Sequence, residues 1–231
     1  MSRQKKTQRI KVSKNGPYIV TGAVPLEQDN IVIGSDGEPA CWEKGPQYPH
    51  RETYALCRCG GSKTKPFCDG SHFAMAFDGT ETASHKPYLD RAEKTCGPRL
   101  DLTWSRELCA AARFCHRGEE AWGYAERSDD PEARKTAVEE ACACPSGSLV
   151  AWDKETGQAI EPDLDHSISL IETPQAGTSG PIWVKGRIPI ESADGFEYES
   201  RNRATLCRCG KSNNKPFCDG THISIKFRSR T

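Results

Sequence analysis

The chain has 231 residues, 35% of them hydrophobic, with 32 basic and 32 acidic side chains in balance. That length suits one or two domains, and the charge balance gives no electrostatic ground for nucleic acid or an anionic membrane as the main partner. No stretch approaches the roughly 20 apolar residues of a membrane helix.

Residues 1–16 are basic but hold no apolar run, so they do not read as a secretory signal. The expected setting is reducing and cytoplasmic, where clustered cysteines hold metal more often than they form disulfides. The basic residues 3–6, and Lys226, Arg228 and Arg230 at the other end, read as solvated ends. A mean hydropathy of −0.70 implies a thin apolar core, which metals or disulfides commonly reinforce. Twelve cysteines are present for that purpose.

From residue 9 to Ser13 polar and apolar residues alternate. Asn15-Gly16-Pro17 then turns the chain and Tyr18 to Val20 resumes, predicting a β-hairpin. A Gly/Pro-punctuated stretch containing Cys41 follows, and then YALCRCGGSKTKPFC at residues 54–68. This string returns at residues 204–218 as ATLCRCGKSNNKPFC. Upstream, Pro17 to Glu27 aligns with Pro181 to Glu191. The offset of 164 there falls to 150 at the cysteines, so the first copy carries 14 more residues, placed between Ile33 and His50. In the second copy Ser167 to Ile171 is the expected first strand and Gly180-Pro181 the expected turn. Each copy thus reads as a hairpin followed by a metal loop, and the two are expected to pair about a pseudo-two-fold axis within a monomer.

Between the copies, Asp129-Asp130-Pro131 reads as a helix start, with an acidic cap and proline in the first turn. Residues 132–141 follow as helix and 148–152 as strand. The expected division is 1–86 for the first unit, 87–165 for a middle domain and 166–231 for the second unit. The predicted class is α+β, small and loop-rich.

The candidate ligands in each copy follow C-x-C-x8-C-x3-H: Cys57, Cys59, Cys68 and His72, then Cys207, Cys209, Cys218 and His222. Thiolates and imidazole suit zinc or iron–sulfur centres and exclude hard cations. Structural zinc pairs usually use C-x2–4-C, so the tighter Cys-x-Cys leans away from zinc without removing it. Gly60-Gly61 and Gly210 bring backbone N–H groups near sulfur. Asp69-Gly70 and Asp219-Gly220 turn the chain so that Cys68 and His72, at i and i+4, face one site.

These residues resemble the CDGSH iron–sulfur domain family, the mitoNEET-like proteins. The string stands here as Cys68-Asp69-Gly70-Ser71-His72 and as Cys218-Asp219-Gly220-Thr221-His222, preceded by Lys65-Pro66-Phe67 and Lys215-Pro216-Phe217. The resemblance implies a [2Fe-2S] cluster in each copy. It places Cys57 and Cys59, or Cys207 and Cys209, on an inner iron. Cys68 and His72, or Cys218 and His222, then hold the outer one. Such a centre carries about −1 when oxidised, against about −2 with four cysteines, which favours electron uptake. His72→Cys is therefore expected to lower the potential and to make the cluster more resistant to acid.

Cys109 and Cys115, spaced C-x5-C, together with Cys144-Pro145, resemble a divergent single-cluster ferredoxin domain. Its middle ligand position is Ala112, which cannot bind iron. Three ligands remain, Cys109, Cys115 and Cys144, for a [3Fe-4S] cluster or for a [4Fe-4S] cluster completed by Cys96, Cys142 or a non-protein ligand. The bland alternative is a helical spacer with buried free cysteines. Cys41 is expected to be unligated.

No nucleophile elbow, phosphate loop or dinucleotide fingerprint is present, so the chain is not expected to be an enzyme. Electron transfer is the expected role, with a redox partner protein. The alternatives are cluster transfer to an apo acceptor protein, iron or redox sensing, and a structural zinc protein.

Overall fold

Alternation of apolar and polar residues produces the expected first hairpin. β1 (Arg9–Val12) and β2 (Tyr18–Thr21) pair antiparallel, and Ile10, Val12, Tyr18 and Val20 are buried on one face. The computed structural model describes residues 7–229, so basic residues 3–6 and Arg230 lie outside the described residues. β3 (Leu26–Ile33) does not extend the hairpin's sheet. It runs parallel to β10 (Ser167–Thr173), with Leu26 opposite Ile168. In return, β12 (Ile190–Glu191) runs parallel to β1, with Ile10 opposite Ile190. The two copies therefore do not meet as closed hairpins; each lends its third strand to the other's first.

β5 (Thr53–Leu56) pairs with β2 and leads into Cys57, closing a sheet of order β12-β1-β2-β5. β11 (Thr178–Lys185) joins β10 and β13 (Arg203–Leu206), which leads into Cys207. With β4 (Pro39–Gln47) on the far edge, the second sheet has order β13-β11-β10-β3-β4. The faces share one core in which Ile10, Leu56, Ile168, Leu170 and Leu206 are sealed from water. Burial of each such side chain contributes about 1.5–3 kcal/mol. Lys185 and Asp29, both buried, pair across this second sheet, with Glu27 and Lys44 beside them.

The second hairpin corrects one expectation. Its turn lies at Pro174 to Gly177, where Gly177 has φ +59°, and Gly180-Pro181 sits inside β11. Pairing slips between Leu170 and Glu172 opposite that dipeptide. A bulge tolerates proline because no ladder N–H is needed there. The stretch between Ile33 and His50, where the extra residues of the first copy were placed, forms a turn and β4, which folds back antiparallel on β3.

The middle section folds as an antiparallel sheet: β6 (Glu93–Cys96), β7 (Leu100–Trp104), β8 (Leu149–Asp153) and β9 (Ala159–Ile160). Besides the short α1 (Ser71–Ala74) of the first copy, helices α2 (Glu120–Glu126) and α3 (Pro131–Ala143) lie in this section. Asp130 caps α3, its carboxylate accepting from the Glu132 N–H at 3.0 Å. Ala121, Ala125, Ala137 and Ala141 let the helices approach Leu100, Leu102 and Leu149 closely. The β3–β4 hairpin reaches this section: Trp42 donates to the Ala143 carbonyl at 3.1 Å and packs between Phe114 and Trp183, each at 4.8 Å. Among the described residues no helix is long and apolar enough to cross a membrane.

Candidate metal centres

Each CxC loop follows directly from a strand that ends in a buried leucine, Leu56 or Leu206, so the strand fixes where its sulfurs stand. Cys57 Sγ and Cys59 Sγ lie 3.8 Å apart, and Cys68 Sγ faces His72 Nδ1 at 3.4 Å. In the second copy Cys207 and Cys209 are again 3.8 Å apart, and Cys218 faces His222 Nδ1 at 3.4 Å. His72 stands in α1 and His222 in α4 (Thr221–Ser224). Each helix is started by a glycine with positive φ, Gly70 (+86°) and Gly220 (+84°). The aspartate before each glycine is structural. Asp69 accepts from the Lys63 and Ser71 N–H groups, and Asp219 from those of Asn213 and Thr221, which closes the loop onto the histidine.

The donors thus come as two pairs per copy. Among the described residues no three or more His, Cys, Asp or Glu side chains gather as the ligands of a single ion would. Backbone N–H groups point at sulfur, Gly61 to Cys59 and Gly220 to Cys218, both at 3.4 Å. Such donors stabilise thiolate charge. Thiolate and imidazole donors with N–H groups at the sulfurs fit an iron–sulfur centre.

Burial sets the proton affinities. It pushes the Cys57 and Cys218 thiols up and brings His222 down to about 4, against the pull of Asp219. The hydrogen bond between Cys207 and Cys209 pulls the first thiol down and pushes the second up. Neutral imidazole is the ligating form, whereas the raised thiols must give up protons when metal binds.

The two CxC loops lie back to back. A Cβ on Gly60 would sit 2.7 Å from the Cys209 carbonyl oxygen, and one on Gly210 would strike that of Cys59. With φ of +76° at both, this contact demands glycine. Tyr18 of the first copy, buried, donates to the carbonyls of Cys207 (2.8 Å) and Pro216 (3.0 Å) of the second.

In the middle section Cys109, Cys115 and Cys144 line one enclosed cavity with Ala112, Ser146 and Ser148. Cys96 is exposed on β6, and Cys142 turns toward the Ile160 carbonyl at 3.6 Å. Neither reaches the cavity. Cys41 is exposed on β4. Burial pushes Cys109 up and Cys115 up to about 12. Burial would do the same to Cys144, but the Arg203 guanidinium and the Ser146 and Ser148 hydroxyls, each 3.5 Å from its sulfur, outweigh it and hold the thiol below its usual range.

Arg203 is the main residue that motif reading passes over. Only 1% exposed, it pairs with Glu161 at 2.7 Å and donates to the carbonyls of Ala141 (2.6 Å) and Cys144 (2.8 Å). It belongs to β13 of the second copy, where the offset of 150 puts Thr53 in the first. That difference, one residue ahead of the matching strings, was the available signal. Glu140, on α3, is also buried. Among the described residues neither of its oxygens accepts a hydrogen bond, Arg117 Nε lies 3.4 Å away, and burial pushes its carboxyl up to about 7.

Comparison with known families agrees with these groupings. A model described as iron-binding zinc finger, CDGSH type, matches residues 15–73 and 179–223. A divergent 4Fe-4S mono-cluster model matches residues 95–154. No significant match was found among curated proteins or solved structures. The chain is a CDGSH-type iron–sulfur domain protein in which two CDGSH domains flank a divergent 4Fe-4S mono-cluster domain.

Proposed function

We propose that this protein is an electron-transfer protein rather than an enzyme. Cys57, Cys59, Cys68 and His72 would hold one [2Fe-2S] cluster, and Cys207, Cys209, Cys218 and His222 a second. Cys109, Cys115 and Cys144 would hold a third centre, of [3Fe-4S] type or of [4Fe-4S] type with a non-protein ligand on its fourth iron. Bound clusters supply one-electron chemistry; the chain supplies thiolates, imidazole, N–H donors and dry surroundings.

One observation carries this reading: the three donor sets are contiguous. Gly60 and Gly210 press each CxC loop on the other, and Ala111 of the Cys109–Cys115 loop lies against Gly220, where a Cβ would come within 3.1 Å of the Ala111 Cβ. The exchanged strands supply within one chain the interface a dimer would make, which supports a monomer. A cytoplasmic location and a protein redox partner complete the proposal.

EPR with iron and sulfide analysis on anaerobically purified protein tests it. A rhombic [2Fe-2S] signal on reduction, plus a [3Fe-4S] or [4Fe-4S] signal, is expected. About four irons per chain, with [2Fe-2S] signals alone, would remove the third centre. Colourless protein containing zinc would overturn the whole reading. Cluster transfer is the second reading, favoured by the openness of the first CDGSH loop, where Phe73 is 81% exposed. Rapid transfer to an apo-ferredoxin, followed by visible circular dichroism, would place it ahead.

A further inference from the structure

The two CDGSH loops carry the same donors in different surroundings. Beside Gly70 nothing lies within 4 Å of where a Cβ would stand, whereas Gly220 faces Ala111 and the Cys109 carbonyl. Cys68 is half-buried and Cys218 is 2% exposed. The rest of the second loop is covered too. Asn214 donates to the Glu107 carbonyl at 2.6 Å, and the Thr82 and Ala83 N–H groups donate to Lys215 at 2.8 and 2.9 Å.

The cover is anchored from both sides. Arg203 and Arg201, the latter over the Tyr88 ring at 3.9 Å, hold the Cys144 turn from the second copy. On the other face Phe114 is wedged against Trp42 of the β3–β4 hairpin, and Arg113 pairs with Glu38 of the same hairpin. At the repeat positions of Arg201 and Arg203 the first copy has Arg51, which lies over Phe67 of its own loop, and Thr53, which is exposed.

We propose that the two CDGSH sites have separate roles: the first is the exchange point between the chain and other molecules, and the second is an internal site, sealed by the mono-cluster domain. This rests on the reading that both sites hold [2Fe-2S] clusters. Ligand loss at a covered site requires the cover to open first, and the opening free energy slows it.

The test is the loss of the [2Fe-2S] EPR signal and visible absorbance from the loaded, dithionite-reduced, full-length protein in excess ferrous-iron chelator. Two phases of equal amplitude are expected, at least about tenfold apart in rate. His72→Cys should change only the fast phase and His222→Cys only the slow one. Arg203→Gln, which loosens the cover, should bring the slow phase toward the fast. Should that variant fail to fold, mass spectrometry of the wild-type protein during chelation decides the matter, because Cys68 should be alkylated before Cys218. A single phase, assignment of the fast phase to His222, or simultaneous alkylation would overturn the proposal while leaving the clusters in place. Zinc-containing, colourless protein would overturn it together with the function reading.

Discussion

The first and second CDGSH units differ less in their ligands than in what leans on them. Both present Cys-x-Cys just after a buried leucine that ends a strand, and a histidine from a one-turn helix, with matching distances. The first leaves Cys68 half-buried beside an open Gly70, whereas the second sets Cys218 and Gly220 against a folded domain. Identical motifs thus define what can be bound, while the residues around them define what can reach it. Positions at which the copies differ, Arg203 against Thr53 or Lys185 against Thr21, carry that second kind of information.

Arg203→Leu should test the difference most severely. It strips a donor from the carbonyls of Ala141, Cys142, Cys144 and Leu149 and leaves Glu161 without its cation, at a cost of about 3–5 kcal/mol. Thr53→Ala at the matching exposed position should cost less than about 0.5 kcal/mol. Urea unfolding of the two variants measures the contrast, and equal costs would erase it.

Lys185→Met follows, at about 3 kcal/mol, because buried Asp29 would keep only the exposed Lys44 as its cation. It also has a pH signature. Burial alone would raise the Glu27 and Asp29 carboxyls, but Lys185 and Lys44 hold both below the usual range. Their contribution is therefore present above the ordinary carboxylate pKa and is lost as pH falls through the lowered values. Thermal melts from pH 7 down to pH 3 should show a shallower acid loss in the variant.

Tyr18→Phe should cost about 1–2 kcal/mol, since the hydroxyl that joins the copies goes one way only. Ile182, at the corresponding repeat position, returns no such bond, so Ile182→Val should cost about 1 kcal/mol through packing alone. Smallest is Glu140→Gln, which concerns the sealing domain. The folded carboxyl is raised to about 7, so its contribution is intact below the ordinary glutamate value and is lost as pH rises through 7. The variant should melt a few degrees higher than the parent at pH 8 and at nearly the same temperature at pH 4.

The donor strings, the first hairpin and the Asp130 cap could be read in the sequence because each is decided within a few residues. The exchanged strands could not. Ile10 pairs with Ile190, and no local alternation shows which distant strand will fill an edge. Gly180-Pro181 carried a turn signal that the sheet overrode with a bulge. β6, reading Glu-Lys-Thr-Cys, has no apolar period to reveal it, and Arg203 looks like a surface residue until the carbonyls around it are seen. Cys109, Cys115 and Cys144 converge on one cavity, whereas Cys96 and Cys142 were separated from them by strand and helix direction, which spacing does not encode.

The parallel pairing of β1 with β12 also sets a timetable. Lys11 and Glu191 meet across 180 positions of chain. At 5–20 residues per second, a ribosome takes roughly 10–40 s to make that span. During this interval β1 has an open edge and the Gly60 loop lacks its backing from Cys209. A nascent chain stalled before residue 190 is therefore expected to hold iron at Cys57, Cys59, Cys68 and His72 less firmly than the chain that has made β12 and the Cys209 loop.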